Sequence, residues 1–143
     1  MAASINFYDS FTEFIGDGTI DMDLDTFKIM ILSNTYTPAQ ATHNYRDDLT
    51  NEVTGTGYTA GGATLATVTW TLGTALTKFD AADVTWTTVT FSTGRYAAIY
   101  KSRGGAASAD ELVLYVDFGA NQSPSAVDFT IQWNASGIFT LAR

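Results

Sequence analysis

The chain has 143 residues, no cysteine, and 15 acidic against 7 basic side chains, which gives a net charge of −8. This length is typical of one domain with one hydrophobic core. Without cysteine the sequence offers no disulfide framework, no thiolate metal site and no cysteine nucleophile. Because proteins bind nucleic acid largely by neutralising phosphates with Lys and Arg, the acidic balance argues against a nucleic-acid partner.

The N-terminal stretch, "MAASINFYDSFTEFIGDG", lacks the basic start and apolar run of a signal peptide. No later run approaches the roughly 20 apolar residues that a membrane span requires. We therefore expect no membrane partner. A hydrophobic content of 45% favours a folded domain over a disordered one.

Residues 6–15 predict the single convincing helix. Phe7, Phe11, Phe14 and Ile15 follow the spacing of an apolar helical stripe, with Asn6 as a cap and Gly16 as a stop. In the acidic run 17–25 the aspartates alternate with apolar residues, which predicts an extended segment with its carboxylates in water. Residues 26–33 predict a strand, and residues 44–50 predict one helical turn.

From residue 63 onward the pattern is β, with Thr, Val, Trp, Tyr and Phe in short runs separated by Gly, Asp and Ser. Residues 84–91 change parity and predict a bulge. Residues 111–119 are apolar on both faces and predict a central strand, and residues 127–134 alternate with one apolar face. Residues 95–102 and 137–143 complete the set, with a hairpin loop at 104–111. The whole chain, 1–143, is thus predicted to form one all-β domain, an antiparallel β-sandwich or jelly roll with one short N-terminal helix.

No motif for catalysis or for a cofactor emerges from the chain. The glycine-rich segment 51–62 has no lysine and precedes strands, so a phosphate-binding loop is disfavoured. An EF-hand beginning at Asp21 lacks its required Gly and Glu, although a weak cation site of another kind stays open. His43 stands alone, and Asp80 and Asp83 are better explained as turn residues than as a glycosidase pair. We expect no catalytic residue, no metal and no cofactor.

A charged cluster beside the glycine-rich segment consists of Arg46, Asp47, Asp48 and Glu52. It fits either a solvated turn, whose ion pairs contribute little each, or the rim of a protein interface. The residues alone leave both interpretations open.

The segment "NYRDDLTNEVTGTGYTAGG" (44–62) resembles small virion structural proteins of tailed bacteriophages. The segments "FYDSFTEFIGDGTIDMDLDTFKIMILSNTYTP", "FDAADVTW", "RYAAIYK", "YVDFG" and "FTIQWNASGIFTL" extend the resemblance, in this order, over nearly the whole chain. In size and β content the chain is most similar to capsid cement, or decoration, proteins.

The resemblance implies a non-enzymatic protein that assembles in the host cytoplasm on the outer capsid surface of the virion. Its implied partners are the major capsid protein and further copies of itself, as a homotrimer or homodimer. Aromatic and Arg residues dominate buried contacts; the candidate contact residues are Tyr45, Arg46, Asp47, Asp48, Glu52, Tyr58, Phe7 and Phe11. For Phe7 and Phe11, packing in the domain's own core is the favoured interpretation.

Two other functions stay open. Tail, collar or fibre-base proteins of phages can share the fold. A carbohydrate-binding module would expose two of Trp70, Trp86 and Trp133 side by side as a stacking platform.

Overall fold

A five-stranded antiparallel sheet forms the centre of the fold in the computed structural model, which describes residues 3–142. In spatial order its strands are β1 (Ser4–Phe7), β8 (Leu112–Gln122), β7 (Gly94–Lys101), β2 (Phe27–Ser33) and β3 (Ala63–Thr64). One helix, α1 (Ser10–Gly16), follows β1. Short 3-10 helices lie at Arg46–Asp48 and Ala107–Ala109. Within the described residues no helix is both long and apolar enough to cross a bilayer.

The second layer is a bent ribbon. Strands β5 (Leu76–Asp80) and β6 (Val84–Val89) run consecutively and pair with β10 (Phe139–Ala142) and β9 (Val127–Ile131), respectively. The indole N–H and backbone N–H of Trp133 donate to the Ala82 carbonyl and the Asp83 carboxylate across the bend. Strand β4 (Thr69–Leu72) pairs with the outer side of β5. The two layers form the predicted all-β sandwich, while the jelly-roll connectivity stays a prediction.

Both faces of the central sheet are buried, because successive side chains of a strand point to opposite faces. From β2, Phe27, Ile29 and Ile31 enter the core against the bent ribbon, whereas Met30 and Leu32 enter a second core. The segment 34–50 covers that second core. β8 is flanked by β1 and β7 and is apolar on both faces, so its predicted central position is confirmed.

The N-terminal helix is shorter than predicted, since it begins at Ser10. Residues 4–7 instead form β1, paired with β8 from Ser4 opposite Asp117 to Phe7 opposite Leu114. Backbone pairing to a distant strand overrides the helical spacing here. The Phe7 ring still stacks on Phe11 at 5.5 Å between centroids, which is why the local pattern was misleading.

The acidic run folds into turns, so the predicted extended segment is wrong, although Ile20 and Met22 are buried as the alternation predicted. The Asp21 carboxylate accepts the N–H groups of Asp23 and Leu24, and the Asp25 carboxylate accepts the Asp21 N–H. Such side-chain hydrogen bonds offer the backbone an alternative to an extended conformation. Leu24 is consequently 80% exposed instead of pointing inward, and the Lys101 ammonium pairs with Asp25 at 2.7 Å.

Three smaller predictions are confirmed. The predicted helical turn in 44–50 is the 3-10 helix Arg46–Asp48. The register of β6 on β9 shifts between Trp86 and Val89, where the parity change indicated a bulge. Residues 104–111 join β7 to β8 as a hairpin loop.

Candidate interaction surface

The half-buried Tyr58 links the glycine-rich segment 51–62 to the sandwich. The Tyr58 hydroxyl donates to Glu52 Oε1 at 2.8 Å and accepts the Ile31 N–H at 2.9 Å. Glu52 Oε1 also accepts the Gly61 N–H at 2.7 Å. Burial raises the pKa of Tyr58 well above its usual value. This segment therefore serves the domain's own packing.

The same segment closes one edge of the sandwich. The Thr90 N–H, just beyond β6, donates to the Thr56 carbonyl at 2.8 Å, and the Tyr58 ring stacks on Trp86. A Cβ at Gly55 would lie 1.7 Å from the Thr90 carbonyl oxygen. Glycine is required there because the two backbones are in contact.

The charged cluster also makes contacts within the chain. Arg46 Nε donates to Asp110 Oδ2 at 2.7 Å, and the Asp110 side chain is only 1% exposed. The Arg46 guanidinium lies 5.3 Å from the centre of the Tyr100 ring. Asp48 Oδ2 accepts the backbone N–H groups of Asn44 and Tyr45. The cluster thus fastens the segment 34–50 to the β7–β8 hairpin.

Most of the contact residues predicted from sequence point into the molecule. Phe11 is buried; Phe7 and Tyr45 are half-buried against Phe139 and Phe14, respectively. Arg46, Asp48, Glu52 and Tyr58 are half-buried in the hydrogen bonds described above. Asp47 alone of the eight is exposed. Their role in an interface stays a prediction, for which Asp47 offers the most accessible side chain.

His43 belongs to a hydrogen-bonded chain beneath the segment 34–50. Its Nδ1 lies 2.8 Å from the Tyr36 hydroxyl, which lies 3.0 Å from the Tyr8 hydroxyl. Burial raises the pKa of Tyr36 to about 12 and raises that of Tyr8 further. The Tyr8 and Tyr36 hydroxyls therefore remain protonated, and the hydrogen-bonded chain anchors the covering segment.

The opposite edge of the sandwich is open and forms a groove of about 380 Å³. It lies between β1 and β8 on one side and β9 with the following bend on the other. Its apolar lining comprises Ile5, Val116, Phe118, Phe129, Ile131 and Trp133. Its polar lining consists of uncharged side chains: Gln122, Thr130, Gln132 and Asn134. We call this cavity the edge groove.

The edge groove is bounded by strands with free edges. β1 pairs only with β8, and β9 pairs only with β6, within residues 3–142. Every residue that lines the groove is uncharged. Such a lining suits an apolar or extended segment of protein, because free strand edges can accept main-chain hydrogen bonds and apolar walls can accept side chains.

The apolar face predicted for 127–134 is only partly covered: Ile131 lies in the core and Phe129 and Trp133 pack against it, half-buried. Alternation in 127–134 placed Val127, Phe129, Ile131 and Trp133 in the core. Of these only Ile131 is buried, and Val127 is 53% exposed. An apolar face that remains partly uncovered marks the open edge.

The remaining polar candidates are engaged in local contacts. Asp80 pairs with Lys78 at 3.1 Å and accepts the Ala81 N–H, as expected for a turn residue. Asp83 instead accepts the Trp133 N–H across the ribbon. Residues 3–142 contain no group of three or more His, Cys, Asp or Glu arranged to hold a metal ion.

The three tryptophans are separated. Trp70 packs on Phe79 and Phe139, Trp86 packs on Tyr58 and Phe129, and Trp133 lines the edge groove. No two tryptophan rings are in contact within the described part of the chain. The platform that a carbohydrate-binding module would need is therefore not formed by these side chains.

Comparison of the chain with protein families, with curated proteins and with solved structures gave no match.

Proposed function

We propose that this chain is a non-enzymatic capsid cement protein, which binds the outer surface of a tailed-phage capsid shell and stabilises it. The observation that carries the proposal is the edge groove, whose lining is made of apolar and uncharged polar side chains between two free strand edges. Such a surface binds another protein segment and performs no acid–base or nucleophilic chemistry by itself.

The anchoring of the loops supports the same role. The segment 51–62 is tied to β2 through Tyr58, and the segment 34–50 is tied to the β7–β8 hairpin through Arg46. A protein that reinforces a shell loses little conformational entropy on binding when its contact loops are already ordered. Many weak contacts, multiplied by oligomerisation, then give a strong total attachment.

The net charge of −8 suits the outer surface. An inward-facing position would bring the chain against packaged DNA, which repels an acidic protein. Asp47 is the exposed member of the predicted contact set, so the surface around Asp47 is the first place to test for contact with the major capsid protein.

The test is co-sedimentation with capsid shells, both filled and empty, assembled from the major capsid protein of the phage that encodes the chain. The cement function requires saturable binding in many copies spread over the shell. A tail, collar or fibre-base protein would bind in the small number of copies that one vertex can hold. Binding at one vertex, or no binding to shells, would overturn the proposal.

Reversing the charge of Asp47 tests whether this residue itself contacts the shell. We expect Asp47→Lys to change shell binding most at low salt, since exposed charges act over a distance that salt shortens. Asp23→Lys places the same change on an exposed residue of the acidic turns and serves as the matched control. Equal effects of the two substitutions would assign the change to net charge and not to a contact at Asp47.

A further inference from the structure

The hydrogen-bonded chain beneath the segment 34–50 has one end that water can reach. It runs from the Tyr8 hydroxyl to the Tyr36 hydroxyl and from there to Nδ1 of His43. Tyr8 is 0% exposed and Tyr36 is 2% exposed, whereas His43 is half-buried. Of the three groups, the histidine is the one that changes its charge near neutral pH.

The number of polar hydrogens in this hydrogen-bonded chain determines which form of His43 fits. Each tyrosine hydroxyl carries one hydrogen, and within residues 3–142 the two hydroxyls have no hydrogen-bond partner beyond these contacts. When Nδ1 carries no hydrogen, Tyr8 donates to Tyr36 and Tyr36 donates to Nδ1, so both hydroxyl hydrogens are bonded. A hydrogen on Nδ1 would leave three donors for two contacts. The structure therefore assigns the neutral ring with its hydrogen on Nε2.

Protonation of His43 leaves one tyrosine hydroxyl without an acceptor. Both ring nitrogens then carry a hydrogen. If the ring stays in place, Nδ1 becomes a third donor for the same two contacts. If the ring turns toward water, Tyr36 loses its acceptor and two hydroxyl hydrogens share a single contact with Tyr8. In both cases a hydroxyl that water cannot reach is unsatisfied, which is costly in an apolar core.

The neighbouring groups do not supply the missing acceptor. Tyr96 of β7 packs on the Tyr36 ring and Tyr115 of β8 packs on the Tyr8 ring; tyrosine is neutral below about pH 8. Asp48 is the charged side chain whose field reaches both buried hydroxyls. Its carboxylate attracts a protonated histidine, but its Oδ2 is bonded to two backbone N–H groups of its own segment.

Separation of the segment 34–50 from the sheet would remove the cost, because water could then bind the hydroxyls. The segment is attached to the β7–β8 hairpin and to β8 by backbone hydrogen bonds at its C-terminal end. The Arg46 N–H donates to the Asp110 carbonyl at 2.8 Å, and the Leu112 N–H donates to the Asn44 carbonyl at 2.9 Å. Such a covering segment can open without global unfolding, because local openings cost less free energy.

We propose that protonation of His43 opens the segment 34–50, so that this segment responds to mildly acidic solution. In the open form His43 binds a proton as a free histidine does, near pH 6.5, whereas the closed form disfavours that proton. A proton that binds one form better shifts the population toward that form, so opening increases as the pH falls through this range. The change needs no capsid and goes beyond the proposed function.

The test is amide hydrogen exchange of the full-length protein at about pH 7.5 and about pH 5.5, with rates corrected for the pH dependence of exchange itself. The Arg46 and Leu112 amides report the opening directly, because their acceptors lie across the boundary that separates. Their corrected rates should rise roughly five- to tenfold at the lower pH, since a single proton is bound. The Ile99 amide of β7, the strand between β2 and β8, should not change.

Matched substitutions separate this mechanism from a general effect of charge. Tyr36→Phe keeps His43 but removes the hydroxyl that joins it to Tyr8, so opening should be greater at both pH values and should lose its pH dependence. Tyr8→Phe keeps the contact between Tyr36 and His43, so protonation still leaves a hydroxyl unsatisfied and the pH dependence should remain. His43→Gln removes the titrating group and should abolish the dependence. Circular dichroism at neutral pH shows that each variant is folded.

Four results would overturn the proposal. They are a wild type without pH dependence at these amides, a dependence that survives in Tyr36→Phe or in His43→Gln, and a dependence that is lost in Tyr8→Phe. Survival in Tyr36→Phe would assign the effect to the charge of His43 alone, and survival in His43→Gln would assign it to carboxylates. Shell binding is measured separately at neutral pH, where the segment is closed, so the failure of either proposal can be told from the failure of the other.

Discussion

Tyr58→Phe tests how much the Tyr58 hydroxyl contributes to fastening the glycine-rich segment to the sandwich, in addition to backbone hydrogen bonds such as Val53 N–H to the Ile31 carbonyl. The substitution keeps the ring against Trp86 and Phe91 and removes only the oxygen. Two hydrogen bonds disappear, one accepted from the Ile31 N–H and one donated to Glu52. The side chain loses no packing, so the measured change reports the hydrogen bonds.

The expected loss of stability follows from the hydrogen bonds that Ile31 and Glu52 lose. Ile31 is fully buried, and a buried N–H left without an acceptor costs about 1–3 kcal/mol. The bond to the Glu52 carboxylate adds roughly another 1 kcal/mol, because that group keeps the Gly61 N–H as a donor. We expect the free energy of unfolding to fall by about 2–4 kcal/mol, which for 143 residues lowers the melting temperature by about 7–13 °C.

The assay is urea denaturation combined with calorimetry, and Tyr96→Phe is the matched control. Tyr96 is also a half-buried tyrosine, but its hydroxyl forms no hydrogen bond with residues 3–142. Its substitution should change stability by less than about 0.5 kcal/mol. If Tyr58→Phe is as mild as Tyr96→Phe, the segment 51–62 is held by something other than this hydroxyl and the reasoning fails.

Gly62→Ala should destabilise by about 3 kcal/mol or prevent folding, because its φ is +78° and a Cβ would lie 1.9 Å from a carbonyl oxygen of β2. Arg46→Ala should cost about 2–3 kcal/mol in urea denaturation, since it leaves the Asp110 carboxylate buried without its cation. Asp117→Asn should destabilise at neutral pH. The hydrogen bond from Arg95 lowers the pKa of Asp117 in the folded protein, so that stabilisation is present above its usual pKa of 3.8 and is lost as pH falls through the lowered value.

Each of these predictions has a control within the chain. Gly18→Ala has a similar φ of +80° but no atom within 4 Å of the added Cβ, so it should cost only about 1 kcal/mol. Arg95→Ala breaks an ion pair whose partners are both about a quarter exposed and should cost no more than about 1 kcal/mol. A gap in stability between wild type and Asp117→Asn that does not shrink as the pH is lowered from neutral to far below 3.8 would contradict the linkage argument. Equal costs for Arg46→Ala and Arg95→Ala would contradict the role given to burial.

Local sequence pattern was sufficient for the strands whose side chains face a core directly. Residues 26–33 and 111–119 were recognised as strands because a continuous apolar run of strand length must be buried on both faces, and β2 and β8 confirm this. The parity change in 84–91 located the bulge for the same reason, since a pleated strand alternates its side chains strictly unless a residue is inserted.

Tertiary structure decided the features that depend on pairing between distant residues. Asn6 and Phe7 were predicted to begin the helix, yet residues 4–7 form β1 because β8, more than 100 residues later, offers an unpaired edge. The sequence disfavoured a phosphate-binding loop at 51–62, but only the fold shows which backbones require its glycines: Gly55 and Gly57 lie against residues 88–91, and Gly62 lies against β2. Periodicity cannot report these contacts, because it describes only the neighbours of a residue along the chain.

In the edge groove, too, the sequence determined some features and the tertiary structure determined the others. The sequence by itself determined that Ile5, Phe129 and Trp133 are apolar and that Phe129 and Trp133 lie in a predicted strand. Only the fold brings β1 beside β9 and leaves their outer edges unpaired. An apolar residue is buried or exposed according to whether another element covers it, and that depends on how the two layers close at each edge, which no local pattern encodes.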